Sequence, residues 1–173
     1  MRVLRAKSVR KFLKFYKLIF GIDAPYNIIV DGNFIFNAIK YKLDVRDRLE
    51  KLLQNGEAKL YVLQSVVQEL KLVGEKAVAA KEFAENYCEL IDDERINGET
   101  PSERLVKFIG MLLDQKAGPK KKRYFVATQD QDLRRTLAQT PGVPLIYLNK
   151  VTLVLESPSQ ASLEFNKNVC IYQ

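Results

Sequence analysis

The sequence predicts a three-layer α/β/α fold, in which helices cover both faces of a central, mostly parallel sheet. Short runs of apolar residues, rich in β-branched and aromatic side chains, alternate with segments of helical periodicity. Gly, Pro and Asn residues mark the boundaries between the apolar runs and the helical segments. A basic amphipathic segment precedes the first run and predicts an additional amino-terminal helix.

The individual elements follow from periodicity, length and capping residues. Residues 91–103 are polar and turn-rich and predict a loop, and residues 157–173 carry only a weak pattern. Ser65 is the predicted N-cap of its helix, and Pro101 and Glu103 mark the start of another. Strands are predicted at 26–30, 58–63, 123–128, 145–149 and 152–156, and helices at 7–20, 33–40, 45–56, 65–74, 76–88, 100–115 and 131–139.

The chain divides by composition into an arm (1–24), a domain (25–156) and a tail (157–173). With 173 residues and 47% hydrophobic side chains, it is long enough to bury one sizeable core. No apolar stretch approaches the roughly 18 residues that a membrane-spanning helix needs, so no membrane partner is expected.

Two compositional facts restrict the chemistry. The chain contains no histidine, which excludes Ser-His-Asp and Cys-His catalysis and histidine-containing zinc sites. Its two cysteines, Cys88 and Cys170, are too few for a disulfide framework or a four-thiolate zinc site. Chemistry here would have to use carboxylates, lysine, hydroxyls or a metal-bound water.

The formal net charge of +7 equals the charge of the first 17 residues, which hold no acid. Val9, Leu13, Tyr16 and Phe20 form an apolar stripe at helical spacing in this arm. The stripe fits a helix docked on the domain with a solvated basic face, and the arm also fits a mitochondrial transit peptide. A basic arm on a neutral body favours a polyanion partner such as nucleic acid.

Candidate RNA-binding residues are the basic side chains of the arm and of two later clusters. Phe12, Phe15 and Tyr16 are aromatics able to stack on bases, although we expect most of them to pack where the arm meets the domain. The candidate cations are Arg2, Arg5, Lys7, Arg10, Lys11, Lys14, Lys120, Lys121, Lys122, Arg123, Arg134 and Arg135.

Acidic residues predict a pocket at one edge of the sheet. Asp31 directly follows the first predicted strand, and Asp130 and Asp132 follow the strand "YFVAT". Ligands of parallel sheets collect at the carboxyl ends of the strands. Glu69 and Glu103, on two helices, complete the candidate catalytic set.

Clustered carboxylates repel one another unless a cation neutralises them, and Mg²⁺ or Mn²⁺ prefers such oxygen ligands. Asp31, Asp130 and Asp132 are the candidate metal ligands. Simpler roles remain open: Asp31 as a helix cap, Asp132 as a cap or an ion-pair partner of Arg134 or Arg135, and Glu69 as a solvent-exposed residue.

Several segments, in order, resemble a known family. "RAKSVRKFLKFY", "PYNIIVDGNFIFNAI", "VVQEL", "PSERL", "YFVATQDQDLRRTL" and "PGVPLIYLNKVTLVLESPS" are similar to the U-three snoRNA-associated protein 23 family of PIN-domain proteins in the small-subunit processome. The resemblance covers roughly residues 1–160. The nearest alternative is the Fcf-type PIN nuclease of the same particle, which shares the "PGVP" segment.

The resemblance implies a PIN fold, a nucleolar location and a role in early 18S pre-rRNA processing with an H/ACA snoRNA and other processome proteins. It places Asp31, Glu69, Glu103, Asp130 and Asp132 at the acidic positions of PIN nucleases, with Glu103 where active relatives usually carry Asp. It also implies a Cys-Cys-His-Cys zinc motif near residues 88–104, of which this chain keeps only Cys88. No zinc is therefore expected.

Three hypotheses of function follow. The favoured one is an RNA-binding rRNA-processing factor with a degenerate nuclease pocket that need not be an enzyme. The alternative is an active Mg²⁺- or Mn²⁺-dependent endoribonuclease that cleaves pre-rRNA. A mitochondrial RNA-processing protein with a cleaved arm is a third hypothesis.

Overall fold

A computed structural model describes the backbone of residues 2–114 and 122–171 and the side chains of residues 6–113 and 122–167. The strands are β1 (Tyr26–Val30), β2 (Ala58–Leu63), β3 (Glu89–Ile91), β4 (Tyr124–Ala127), β5 (Leu145–Asn149) and β6 (Thr152–Leu155). The helices are α1 (Arg2–Phe20), α2 (Gly32–Lys40), α3 (Val45–Leu52), α4 (Gln64–Val73), α5 (Val78–Tyr87), α6 (Pro101–Asp114), α7 (Gln131–Ala138) and α8 (Gln160–Ile171), with a 3-10 turn at Gly74–Ala77 before α5.

The six strands form one sheet in the order β3-β2-β1-β4-β5-β6. All neighbouring strands are parallel except β5 and β6, which are antiparallel. The predicted α/β architecture with a mostly parallel sheet is therefore confirmed. None of the described helices is both long and apolar enough to cross a bilayer.

Helices cover both faces of the sheet, as two adjacent residues of β4 demonstrate. Successive strand side chains point to opposite faces. The Tyr124 ring lies 5.9 Å from that of Phe108 on α6, whereas the Phe125 ring lies 6.5 Å from that of Tyr16 on α1. The three-layer prediction is confirmed by this arrangement.

Helix α1 is part of the core rather than a detached arm. The predicted stripe of Val9, Leu13, Tyr16 and Phe20 is buried. Burial raises the pKa of the Tyr16 hydroxyl, which hydrogen-bonds Ser162 of α8. The division of the chain at residues 24 and 156 stays a prediction.

The structure differs from the predicted secondary structure in three places. The strand β3, which was not predicted, overlaps the predicted 91–103 loop at Ile91, and its three residues are too few to show a periodicity. Ser65 does not cap α4, because the helix begins at Gln64 and Leu63 occupies the cap position. The weakly patterned tail contains α8.

Helix α8 begins after a capping residue, Ser159, that the weak sequence pattern of the tail did not indicate. The Ser159 hydroxyl accepts a hydrogen bond from the Ser162 backbone N–H at 3.2 Å, as an N-cap does. The Phe165 ring stacks on Phe20 with ring centroids 5.2 Å apart. The helix is therefore anchored to α1 by contacts that only the tertiary structure brings together.

The turn before β5 depends on a glycine. Gly142 has φ +78°, and a Cβ built there would lie 2.5 Å from the Phe20 ring. Its backbone N–H donates to the Ser162 hydroxyl at 2.9 Å. This turn thus holds α1 and α8 against the sheet.

We expect Gly142→Ala to lower the free energy of unfolding by about 2–4 kcal/mol, because it combines left-handed backbone strain with overpacking. Gly110→Ala is the control: Gly110 lies inside α6, and an added Cβ would meet no atom within 4 Å. That change should stabilise the protein by about 0.5–1 kcal/mol. Urea denaturation measures the free energy of unfolding of both variants. Equal changes in the two would contradict the requirement for glycine at position 142.

Candidate functional site: an acidic crevice at the end of the sheet

The crevice lies where the sheet changes winding direction. From β1 the chain builds β2 and β3 on one side, and then crosses to β4 and β5 on the other. Loops leave the carboxyl ends of β1 and β4 in opposite directions at such a point and open a ligand crevice. Asp31 follows β1, and Asp130 lies three residues beyond β4.

Asp31 is a buried carboxylate with only 6% of its surface exposed. Its Oδ1 accepts a hydrogen bond from the Gly32 N–H at 2.8 Å, and its Oδ2 accepts one from the Thr128 hydroxyl at 2.9 Å. Asp31 is also the N-cap of α2. The simpler role of helix cap is therefore real, and it coexists with a central place in the crevice.

The loop 128–130 is held rigidly between β4 and α7. The Thr128 hydroxyl accepts from the Asp130 N–H at 3.0 Å while donating to Asp31. The Gln129 side chain forms two hydrogen bonds with the backbone of Leu148 in β5, and so acts like a further strand residue. Asp130 Oδ1 accepts from the N–H groups of Asp132 and Leu133 and caps α7. Sequence analysis missed Thr128, which connects the two acidic segments.

The surroundings of Asp31 shift the pKa of its carboxyl group. Burial raises its pKa, and the charges of Glu69 and Asp130 raise it further. The hydrogen bonds from Thr128 and Gly32 act in the opposite direction. Two of the other predicted acids, Glu69 and Asp130, are therefore close enough to act on Asp31.

Glu69 approaches Asp31 from the side of α4. It is exposed and borders a groove of about 220 Å³ between α2 and α4, together with Asn33 and Phe36. Gly32 permits the close approach of these helices, since a Cβ there would lie 3.3 Å from Val66 Cγ1.

Glu103 and Asp132 lie in a second groove, of about 400 Å³, between α6 and α7, which Asp130 also lines. Both have structural partners. Glu103 Oε2 accepts from the Glu99 N–H at 3.0 Å, and Asp132 forms an exposed ion pair with Arg135 at 3.0 Å. The simpler interpretation of Asp132 as an ion-pair partner matches this geometry.

The carboxylates supply the right donor atoms for Mg²⁺ or Mn²⁺. Over residues 6–113 and 122–167, no three acidic or cysteine side chains form a ready-made ligand set. A hydrated ion that keeps several waters needs only one or two carboxylates. Asp31 and Asp130 fit that requirement, because a cation would offset the burial of the Asp31 carboxylate and the repulsion from Glu69 and Asp130, which together raise its pKa.

The segment in which the resemblance implies a zinc motif is stabilised by a buried carboxylate. Asp93 is 1% exposed and accepts hydrogen bonds from the backbone N–H of Ser65, at 3.0 Å, and from its hydroxyl. It thereby caps the start of α4 from a distant loop, in place of a side-chain cap at Leu63. Burial raises the pKa of the Cys88 thiol to about 12, which keeps it protonated and a poor metal ligand.

The candidate RNA-binding cations occupy different environments. Lys7, Lys11 and Lys14 are exposed along α1, and Arg10 donates to Gln54 at 2.9 Å. Lys122 lies over the Tyr61 ring, with Nζ 5.6 Å from the centroid. The side chains of Arg2, Arg5, Lys120 and Lys121 lie outside the described residues.

Of three candidate arginines, Arg123 and Arg134 contribute to the fold and Arg135 does not. Arg134 pairs with Glu156 at 2.7 Å and stacks on Tyr147, with Cζ 4.4 Å from the ring centroid. Burial lowers the pKa of the Arg123 guanidinium. Arg135 stays exposed beside Asp132. Sequence analysis missed another cation, Lys107, which lines the α6–α7 groove with the acids.

We expect Asp31→Asn to raise the free energy of unfolding at pH 7. Since the folded state raises the pKa of Asp31, its favourable contribution is complete only below the unfolded pKa of about 3.9 and is lost as the pH rises through the folded pKa. The gain from Asn should therefore shrink as the pH falls towards 4.

Asp44→Asn is the matched control for this change, because Asp44 caps α3 at 3.0 Å but is exposed. It should leave the stability at pH 7 nearly unchanged. Denaturation at a series of pH values measures both variants. A loss of stability in Asp31→Asn at pH 7 would contradict the expected sign.

We expect Asp93→Ala to destabilise the protein by about 1–3 kcal/mol, because it leaves the buried N–H and hydroxyl of Ser65 without their acceptor. Asp92→Ala removes an exposed acceptor for the Glu94 N–H and should cost less than about 1 kcal/mol. Thermal denaturation measures the loss of stability in each variant. Similar losses in the two variants would contradict the capping role of Asp93.

Comparison with known proteins identifies the family and supports the fold. The sequence matches the family described as Fcf1 over residues 51–157. It is 34% identical over 167 residues to "rRNA-processing protein utp23" of Schizosaccharomyces pombe, covering 94% of this chain and 60% of that protein. It is 32% identical over 130 residues to "rRNA-processing protein FCF1 homolog" of Mus musculus, covering 74% of this chain and 60% of that protein.

The chain thus spans about 60% of the length of these two curated relatives. Among solved structures, "Structure of the PIN domain endonuclease Utp24" aligns with a TM-score of 0.65 at 23% identity, covering 78% of this chain and 94% of that chain. This similarity confirms the predicted PIN fold. The family match over residues 51–157 shows that the chain, which has a PIN fold, belongs to the Fcf1 family.

Proposed function

We propose that this protein is an RNA-binding factor that acts in rRNA processing during ribosome biogenesis. Its partners would be the 18S precursor, an H/ACA snoRNA and proteins of the small-subunit processome, in the nucleolus. The Schizosaccharomyces pombe and Mus musculus relatives are both named as rRNA-processing proteins, which supports this proposal.

The exposed basic face of α1 is the observation that carries RNA binding. Lys7, Lys11 and Lys14 follow one another at spacings of four and three residues, and therefore lie on one side of the helix. The opposite side of α1 is buried in the core, and this packing holds the three lysines on the solvent side of the helix. Within the part of the chain whose side chains are described, these lysines take part in none of the ion pairs. Their ammonium groups are available to phosphates.

The α6–α7 groove offers a second contact. Lys107 lies one turn beyond Glu103 on α6, facing the groove that Asp130 and Asp132 also line. Lys107 would supply the positive charge for an RNA phosphate in this groove, where the other charged lining residues are carboxylates.

A second candidate function is metal-dependent endoribonuclease activity, which the buried Asp31 beside Glu69 and Asp130 favours. Asp31 and Asp130 would hold Mg²⁺ or Mn²⁺, and Thr128 would fix the orientation of Asp31. The bound ion would supply charge neutralisation at the phosphodiester and a water of lowered pKa. The structural partners of Glu103 and Asp132 make this the second candidate rather than the first.

Reversing the charge of α1 should weaken RNA binding. We expect the double variant Lys7→Glu/Lys11→Glu to lower affinity for single-stranded RNA at least about tenfold, and to reduce the slope of log K against log salt concentration by about 1.4. Fluorescence anisotropy at several salt concentrations measures both. Lys42→Glu/Lys150→Glu changes the same charge on exposed turns and should have a smaller effect. An unchanged slope in the α1 variant would remove this face from the interface.

Incubating labelled single-stranded RNA with the purified chain in Mn²⁺ separates the two functions. For the binding factor, we expect RNA binding without cleavage. Cleavage that disappears in both Asp31→Asn and Asp130→Asn would assign the nuclease instead.

Thermal denaturation tests the ion site separately. Mn²⁺ should raise the melting temperature of the wild type but not of Asp31→Asn. Equal shifts in both proteins would remove Asp31 from the ion site.

A further inference from the structure

The groove between α2 and α4 is not used by either proposed function. It lies directly beside the acidic crevice, because Glu69 borders the groove and its charge acts on Asp31. Its volume of about 220 Å³ lies below the range of about 300–1,000 Å³ of pockets for drug-sized ligands. The space suits one flat ring system.

One wall of the groove is an accessible aromatic ring. Phe36 is 39% exposed, although its neighbours Phe34 and Ile35 on α2 are completely buried. Asn33 lies one turn before Phe36 on the same side of the helix and is exposed. An aromatic side chain and an amide thus face the same space from one helix.

The opposite wall combines apolar and charged side chains. Leu70 and Val73 of α4 line it together with Glu69, whose charge acts on Asp31. An apolar slot with an aromatic ring, an amide and a carboxylate at its edge matches the chemistry of a nucleobase, which has two π-faces and a polar edge. Single-stranded RNA is recognised by such stacking and edge contacts.

We propose that this groove binds one unpaired nucleobase of single-stranded RNA, stacked on Phe36, with Asn33 and Glu69 at the base edge. The proposal rests on the proposed RNA-binding function and gives its substrate class: a strand with an unstacked base next to the acidic crevice. The occupant is a base rather than a phosphate, since Glu69 and Asp31 repel anions at this end of the groove.

The absence of tryptophan from the chain provides a direct reporter. In Phe36→Trp, the new indole would be the only tryptophan, and a stacked base would quench its fluorescence. Leu72→Trp is the matched control: Leu72 is 89% exposed on α4, next to Val73, and is not part of the groove lining. We expect saturating single-stranded RNA to quench Phe36→Trp and not Leu72→Trp.

Affinity measurements complete the test on the full chain, with a single-stranded oligonucleotide as the probe. Phe36→Ala should weaken binding about 5- to 100-fold with an unchanged salt slope, because stacking is lost and no phosphate contact is lost. Phe36→Tyr should restore the affinity. Circular dichroism and the melting temperature show that each variant is folded.

The outcomes separate the base pocket from the function on which it rests. If the wild type does not bind RNA, the proposed function fails, and the pocket with it. If the wild type binds with a normal salt slope while Phe36→Ala binds equally well, only the pocket is overturned. Equal quenching at both tryptophan positions would also overturn it, because the RNA would then cover α4 broadly instead of placing one base in the groove.

Discussion

The hydrogen bond between Asp31 and Thr128 is the contact on which the site depends. It joins the end of β1 to the end of β4 at the point where the sheet reverses its winding, and it holds a carboxylate where burial opposes ionisation. Helix α2 begins at Asp31, and the turn that starts α7 is tied to the same Thr128 hydroxyl through Asp130. A single hydroxyl therefore positions two acids and the starts of two helices.

The two charge patterns of the molecule have different roles towards a polyanion. The lysines of α1 attract a phosphate backbone over long distances, whereas the crevice around Asp31, Glu69 and Asp130 repels it. In the proposed function, RNA would reach the crevice through a neutral base, through a cation, or through a phosphate held by Lys107 at the margin. Such an approach would favour strands whose bases are unpaired over regular duplexes, in which bases are inaccessible.

Much of the fold was predictable because its signals are local. The strands around Ile28, Leu60 and Val126 are continuous apolar runs, and the positions of Asp31 and Asp130 after two of them placed both acids at one edge of the sheet. By contrast, Thr128 and Asp93 act through partners 97 and 28 residues away, so no local pattern marks them.

The partners of the charged residues were also beyond sequence reasoning. Nothing in the spacing distinguishes Arg134, which is stacked on Tyr147 and paired with Glu156, from Arg135, which is exposed. Lys107 is one lysine among many until α6 is placed against α7. Periodicity reports which face of a helix is apolar, but it does not report what the polar face meets.

The distance in sequence between β1 and β4 has a consequence for folding. The chain must close a loop of about 97 residues before Thr128 can meet Asp31, and contacts of such separation form slowly, since chain entropy opposes them. The β1–β2 pair has much nearer partners and can form earlier. The acidic crevice is thus absent from any partly folded chain that has β1 and β2 alone, and its appearance reports that β4 has docked.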